Sequence, residues 1–263
     1  MTTIENTRSN VVSSFTIIKG SLIQETYSAF SEWDLDASQK DNIDRIRETN
    51  LIGASSENWL RDVAKVINRR FDTEGRDRPL VRLAQRGCTL RDWKPLLLWH
   101  MTRDEFLVRD FLINWLYEQY KDGAFRVRSE EVVPYLEQLP ERDVEVDNQW
   151  SESTLNRVAS GLLRIAADFG LLEGKQVREF TSFHLSDLAL MYLLHALDEA
   201  RSNANQIIDA PDWKMYMFGR EEVERELFRL HQYRELHYEV AGSLAQLSLP
   251  HDSILDYAES VPL

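Results

Sequence analysis

Residues 150–180 read W-S-E-S-T-L-N-R-V-A-S-G-L-L-R-I-A-A-D-F-G-L-L-E-G-K-Q-V-R-E-F, and the fold turns on them. Leu155, Val158, Ala159, Leu162, Leu163, Ala166 and Phe169 recur at steps of three and four, which makes one apolar helical stripe. Ser151 is placed to cap that helix, because its side-chain oxygen can accept a backbone N–H that the first turn leaves unpaired. Gly170 is placed to end it, since glycine takes positive φ without a Cβ clash. Asn156, Arg157, Ser160 and Arg164 lie away from the stripe; they are polar or cationic, as a polyanion contact requires. Two short extended pieces follow, Leu171–Glu173 and Val177–Phe180, around a Gly174-Lys175-Gln176 turn. A helix followed by a cationic hairpin is the outline of a winged helix, whose helix can enter a DNA major groove while the turn touches phosphate. The competing reading is a core helix and an ordinary hairpin.

Working outward, a helix followed by a hairpin occurs a second time. Arg220–Gln232 has a helical pattern, and Leu236, Tyr238 and Val240 then alternate with polar residues before an Ala241-Gly242-Ser243 turn. This second helix carries Glu221, Glu222, Glu224 and Glu226, a poor surface for DNA, so its expected neighbour is protein. Between the two hairpins Leu185–Ala200 is strongly helical and Ser202–Asp212 reads as loop. Upstream, a helical period starts at Ser14 with Ile18, Leu22, Tyr27 and Phe30 on one face. Further helices are expected over Ala37–Asn50, from a Ser55 or Ser56 cap through Phe71, from Pro79 to Gly87, and from a Thr89 cap through Trp99. Another should run from a Thr102 cap, with Asp104 and Glu105 in its first turn, to Tyr120; a short one spans Glu130–Leu139 behind Ser129. Pro140–Asn148 is an acidic linker. The resulting expectation is a mainly α protein, an N-terminal helical bundle followed by winged-helix-like modules with short β-hairpins. Its units are a loose N-terminus over 1–13, a helical domain over 14–124, a winged-helix-like module over 125–200 and a second helix-plus-hairpin module over 201–263.

Charge is unevenly spread. The chain of 263 residues has 31 Lys and Arg against 44 Asp and Glu, a net charge of −13. Between Arg61 and Arg109, however, 12 cations face 7 acids. A basic island in an acidic chain can direct a polyanion to one face. The candidate DNA contacts are therefore Arg157, Arg164, Lys175 and Arg178 in the helix and hairpin, and Arg69, Arg70, Arg76, Arg78, Arg82 and Arg86 in the island. The alternative is that the island arginines pair with acids such as Asp72, Glu74 and Asp77.

No chemistry of catalysis is legible. The six histidines form neither an i,i+4 pair nor an H-E-x-x-H, so no metal site is expected. Phosphate-loop and dinucleotide glycine motifs are absent, which leaves nucleotide cofactors without support. Glu173-Gly174-Lys175 matches the acid-x-Lys fragment of metal-dependent nucleases, but the strand-borne acid that should precede it is missing. Cys88, the single cysteine, has no convincing His partner. The longest run without a charged residue, Val240–His251, is shorter than the roughly 20 apolar residues that span a bilayer. No signal peptide opens the sequence, and a cytoplasmic location is expected.

Several stretches carry a family resemblance. S-E-S-T-L-N-R-V-A-S-G-L-L-R-I-A-A-D-F-G-L-L-E-G at 151–174, R-E-F at 178–180 and L-A-L-M-Y-L-L-H-A-L at 188–197 resemble the BrxA proteins of bacterial BREX phage-defence systems. S-F-T-I-I-K-G at 14–20 and D-W-K-M-Y-M-F-G at 212–219 are similar as well. The resemblance implies a small, mainly helical, non-enzymatic component that binds double-stranded DNA and acts beside the methyltransferase and ATPase subunits of the system. It implies no cofactor and no small-molecule substrate. The alternative function is a protein–protein adaptor that holds other subunits together without touching DNA.

Overall fold

The computed structural model describes residues 12–139, 150–201 and 203–263. Residues 1–11 and the acidic linker lie outside these residues. The protein is mainly α-helical with two small antiparallel sheets. Six helices come first: α1 (Ser14–Lys19), α2 (Ile23–Ser31), α3 (Gln39–Thr49), α4 (Glu57–Arg70), α5 (Arg78–Gln85) and α6 (Leu90–Met101). The expected single helix from Ser14 is two, because Gly20 takes φ of +88° and Leu22 enters the left-handed region. Thr16 and Ile17, not Ile18, are the buried residues of α1. Ser56 and Thr89 each accept a backbone N–H at the start of α4 and α6, as expected, and Ser38 does the same for α3, where the sequence reading named no cap.

The next helix departs from expectation. It begins at Phe106, not at Thr102, and runs as α7 (Phe106–Asp110), a π-helical turn over Phe111–Leu116, and α8 (Tyr117–Lys121). Thr102 is buried and donates its hydroxyl to the Trp99 carbonyl, so it caps nothing. Asp104 and Glu105 pair instead with half-buried Arg76 and buried Arg70.

After the Gly123 turn come β1 (Arg126–Arg128), α9 (Ser129–Glu137), α10 (Glu152–Asp168), β2 (Leu172–Gly174) and β3 (Val177–Phe180). Strand order in this sheet is β1-β3-β2, all antiparallel, with Val127 opposite Arg178 and Leu172 opposite Phe180. The sequence reading gave the hairpin but not β1, which joins it from 50 residues upstream. α11 (Asp187–Asp198) starts at a Ser186 cap and is buried along most of its length. The stretch read as a loop after Ser202 holds α12 (Ala204–Ile208) and a 3-10 turn over Pro211–Tyr216. α13 (Arg220–Gln232) carries the second hairpin, β4 (His237–Ala241) and β5 (Leu244–Ser248). A final helix, α14 (Ile254–Ser260), had no counterpart in the sequence reading.

The core runs through the chain without a break. α1 lies on α10, α6 on α11, and α14 returns to pack on α5. Buried Asp212 ties the ends together: it accepts from Trp99 Nε1 at 3.0 Å and pairs with Arg109 and Arg201, each at 3.1 Å. Burial alone would raise its carboxyl pKa, but the two guanidinium groups hold it below its ordinary value. Among the described residues no helix is long and apolar enough to cross a membrane.

Candidate nucleic-acid interface

α10 forms as its sequence dictates. Ser151 Oγ accepts from the Thr154 N–H at 3.3 Å. At the other end Leu171 N donates to Ala166 O and Gly170 N to Ala167 O, both at 2.9 Å, with Gly170 at φ of +84°. That pattern satisfies the last carbonyls and turns the chain into β2. The apolar stripe is buried, while Asn156, Arg157, Ser160 and Arg164 are exposed.

α10 is not bare on both flanks. α1 crosses it at Gly161, where a Cβ would stand 3.1 Å from the Ile17 carbonyl oxygen. Arg164 donates to Ile18 O at 2.7 Å, and Ser21 to Asp168 at 2.6 Å. The N-terminal segment thus forms one bank and the three-stranded sheet the other. Three adjoining depressions follow α10. The first is lined by Lys19, Glu25, Lys94, Arg164 and Asp168 among others. The second joins Asn156, Arg157, Ser160, Arg164 and Arg178. The third adds Arg128, Glu130 and Lys175 to Ser160 and Arg178. They share Arg164 on one side and Ser160 and Arg178 on the other, so they form one trough. Its walls hold the seven cations Lys19, Lys94, Arg128, Arg157, Arg164, Lys175 and Arg178, against Glu25, Glu130 and Asp168.

All four candidates from the helix and hairpin lie in this trough. Arg157 and Lys175 are exposed; Arg178 is half-buried and donates to Gly174 O at 3.0 Å. Burial holds Arg178 below its ordinary pKa, Asp168 opposes that shift, and the charge of Arg164 adds to it. Lys19, Lys94 and Arg128 were missed. Arg128 could have been found from the alternation Arg126-Val127-Arg128, which puts a buried valine between two exposed arginines.

The island behaves differently. Arg70 is 1% exposed; it pairs with Glu105 at 2.9 Å and donates to the carbonyls of Thr16 and Ser21. It has no surface to offer a phosphate, which corrects its place among the DNA contacts. Arg76 pairs with Asp104 and stands 3.7 Å from Asp77. Arg78 donates to Leu35 O, Arg82 pairs with Glu259 at 3.3 Å, and Arg86 donates to Ala258 O and Val261 O at the end of α14. Arg69 is exposed on α4. None of the six island arginines takes part in the trough lining. The island's charge is largely matched by carboxylates and carbonyls inside the fold.

Comparison with curated proteins finds no match. A family model, BrxA, matches residues 14–195, which include α1, all of α10 and the three-stranded sheet. The chain belongs to the BrxA family, whose members are components of bacterial BREX phage-defence systems.

Proposed function

We propose that the protein is a non-enzymatic DNA-binding component of its defence system and that duplex DNA lies along the α10 trough. Helix α9, helix α10 and the sheet β1-β3-β2 then act as a winged helix. The exposed N-terminal half of α10, with Asn156, Arg157 and Ser160, faces a groove, while Lys175 in the turn and Arg128 on β1 meet phosphate. The observation that carries this reading is the concentration of seven cations against three carboxylates in one trough of a chain whose net charge is −13. Such a field attracts a polyanion to one side only. Because α1 covers the flank at Gly161, α10 enters a groove by its first half and not along its whole length.

The test is the affinity for a random-sequence duplex measured across a salt series. With about four to six phosphates neutralised, log affinity falls against log salt with a slope of roughly −4 to −5. Failure to bind duplex at low salt and neutral pH would overturn the reading.

A second role has its own support. On the α13–β4–β5 unit Leu244 is 73% exposed and Tyr233 69%, beside an acidic helix. This unit suits contact with another protein component better than with DNA. Leu244→Asp is expected to leave duplex affinity unchanged and to weaken co-purification with co-expressed BREX subunits.

A further inference from the structure

Arg103 stands apart from the other island cations. It follows α6, and its guanidinium lies over the Trp99 ring, 4.6 Å from the centroid. Its Nε is buried without a hydrogen-bond partner, and among the described residues it enters no ion pair. Nearby carboxylates are already engaged: Asp104 holds Arg76, and Asp77 holds His100 at 2.6 Å. Burial keeps the Arg103 guanidinium below its ordinary pKa. A half-buried cation with no ion pair of its own is open to an anion from outside the fold, and an arginine fork suits a phosphate.

Arg103 lines a cavity of about 320 Å³ between α5, α6, α11 and α14. Arg76 and Arg78 line it too. The Arg76 Nε makes no hydrogen bond but stands 3.7 Å from the Asp77 carboxylate, and Arg78 uses one nitrogen on Leu35 O. The remaining wall is apolar, chiefly Pro79, Ile254 and Leu255. Glu199, the one carboxylate in the lining, accepts from the Ile254 N–H at 2.8 Å. The volume falls in the range of small-ligand clefts, about 300–1,000 Å³.

We propose that this cavity is a binding site for a small phosphate ester. Its phosphate sits between Arg103 and Arg78, with Arg76 behind, and its organic body lies against Pro79, Ile254 and Leu255. The Arg103 guanidinium, held against the Trp99 ring, offers its terminal N–H groups to two phosphate oxygens. The cavity shares no residue with the α10 trough, so the site stands or falls independently of DNA binding.

Calorimetric titration of the full chain with adenosine monophosphate and with inorganic phosphate, at constant ionic strength, tests this. The nucleotide should bind at least about five-fold tighter than phosphate, because only it uses the apolar wall. Arg103→Gln should weaken nucleotide binding about ten-fold or more, and Arg103→Lys by less, because lysine keeps the charge but loses the fork. Urea unfolding separates a ligand site from a structural one. Without ligand, Arg103→Gln should lose only the contact with the Trp99 ring, and so be no less stable than Arg103→Met. Absence of nucleotide binding, equal binding of phosphate, affinity unchanged by Arg103→Gln, or a ligand-free Arg103→Gln protein clearly less stable than Arg103→Met would each overturn the proposal.

Discussion

Gly170 holds φ at +84°, and a Cβ built on it would meet nothing within 4 Å. The constraint on this residue is therefore backbone conformation alone. Gly170→Val should cost about 1–2 kcal/mol, measured by urea unfolding; a neutral effect would show that the α10 terminus does not depend on the left-handed geometry. A second single-residue feature is the buried chain Asp77–His100–Tyr192. The His100 Nδ1 lies 2.6 Å from Asp77 Oδ1, and its Nε2 lies 2.7 Å from the Tyr192 hydroxyl. Nδ1–H donates to the carboxylate and the tyrosine O–H donates to Nε2, which describes a neutral imidazole. Burial lowers the His100 pKa, although Asp77 opposes the shift. Burial would raise Asp77, but the hydrogen bond from His100 and the neighbouring cations hold it below its ordinary value. The sign is the same for both: acid favours the unfolded chain. For His100 the loss starts as pH falls through about 6.5, where the unfolded imidazole gains a proton that the folded one does not. For Asp77 it starts as pH falls into the ordinary carboxylate range, near about 4, where the unfolded carboxyl gains a proton that the folded one does not. Stability measured from pH 7.5 to 5.5 should therefore fall, with His100 contributing at most about 1.4 kcal/mol per pH unit. His195, also lowered by burial, acts in the same direction. His100→Gln should flatten the curve without levelling it, and a parent curve no steeper than the variant's would contradict the assignment.

α1 meets α10 because residue 161 has no side chain. A Cβ there would stand 3.1 Å from both Ile17 Cγ2 and the Ile17 carbonyl oxygen. Gly161→Leu should push α1 away and cost about 1–3 kcal/mol, with faster hydrogen exchange confined at first to residues 14–19; unchanged exchange there would show that α1 does not rest on Gly161. α10 was legible in the sequence because stripe, Ser151 cap and Gly170 stop all lie in one continuous stretch. Its α1 bank was not, since nothing in residues 14–20 points to a helix more than a hundred residues away. β1 escaped for a related reason: three residues give too little alternation, and pairing with β3 decides their conformation. The Thr102 cap failed by competition. Asp104 and Glu105 match the first-turn acids of a helix, but half-buried Arg76 and buried Arg70 claim them from 28 and 35 residues away. The same two pairs explain why the basic island looked free. Its counter-ions lie far along the chain, out to Glu259, so local charge counting could not assign them.

Across the whole molecule, two groups of cations stand out. One is engaged within the fold: Arg70, Arg76 and Arg109 pair with buried carboxylates from distant segments, and Arg82 pairs with Glu259 at the surface. The other is gathered in the α10 trough, where Arg157 and Lys175 point to solvent. The second group is the one proposed to release counterions from DNA. Charge reversal separates them most directly. Arg157→Glu with Lys175→Glu alters the trough, and Arg69→Glu with Arg82→Glu makes the same change in net charge on the island. With both proteins checked for folding by circular dichroism, the account predicts that the trough pair lowers duplex affinity about ten-fold or more near 100 mM salt and makes the salt slope shallower by about 2. The island pair should stay within about three-fold of the parent, because neither residue lines the trough. Parent-like binding by the trough pair, or an equal loss in the island pair, would contradict it.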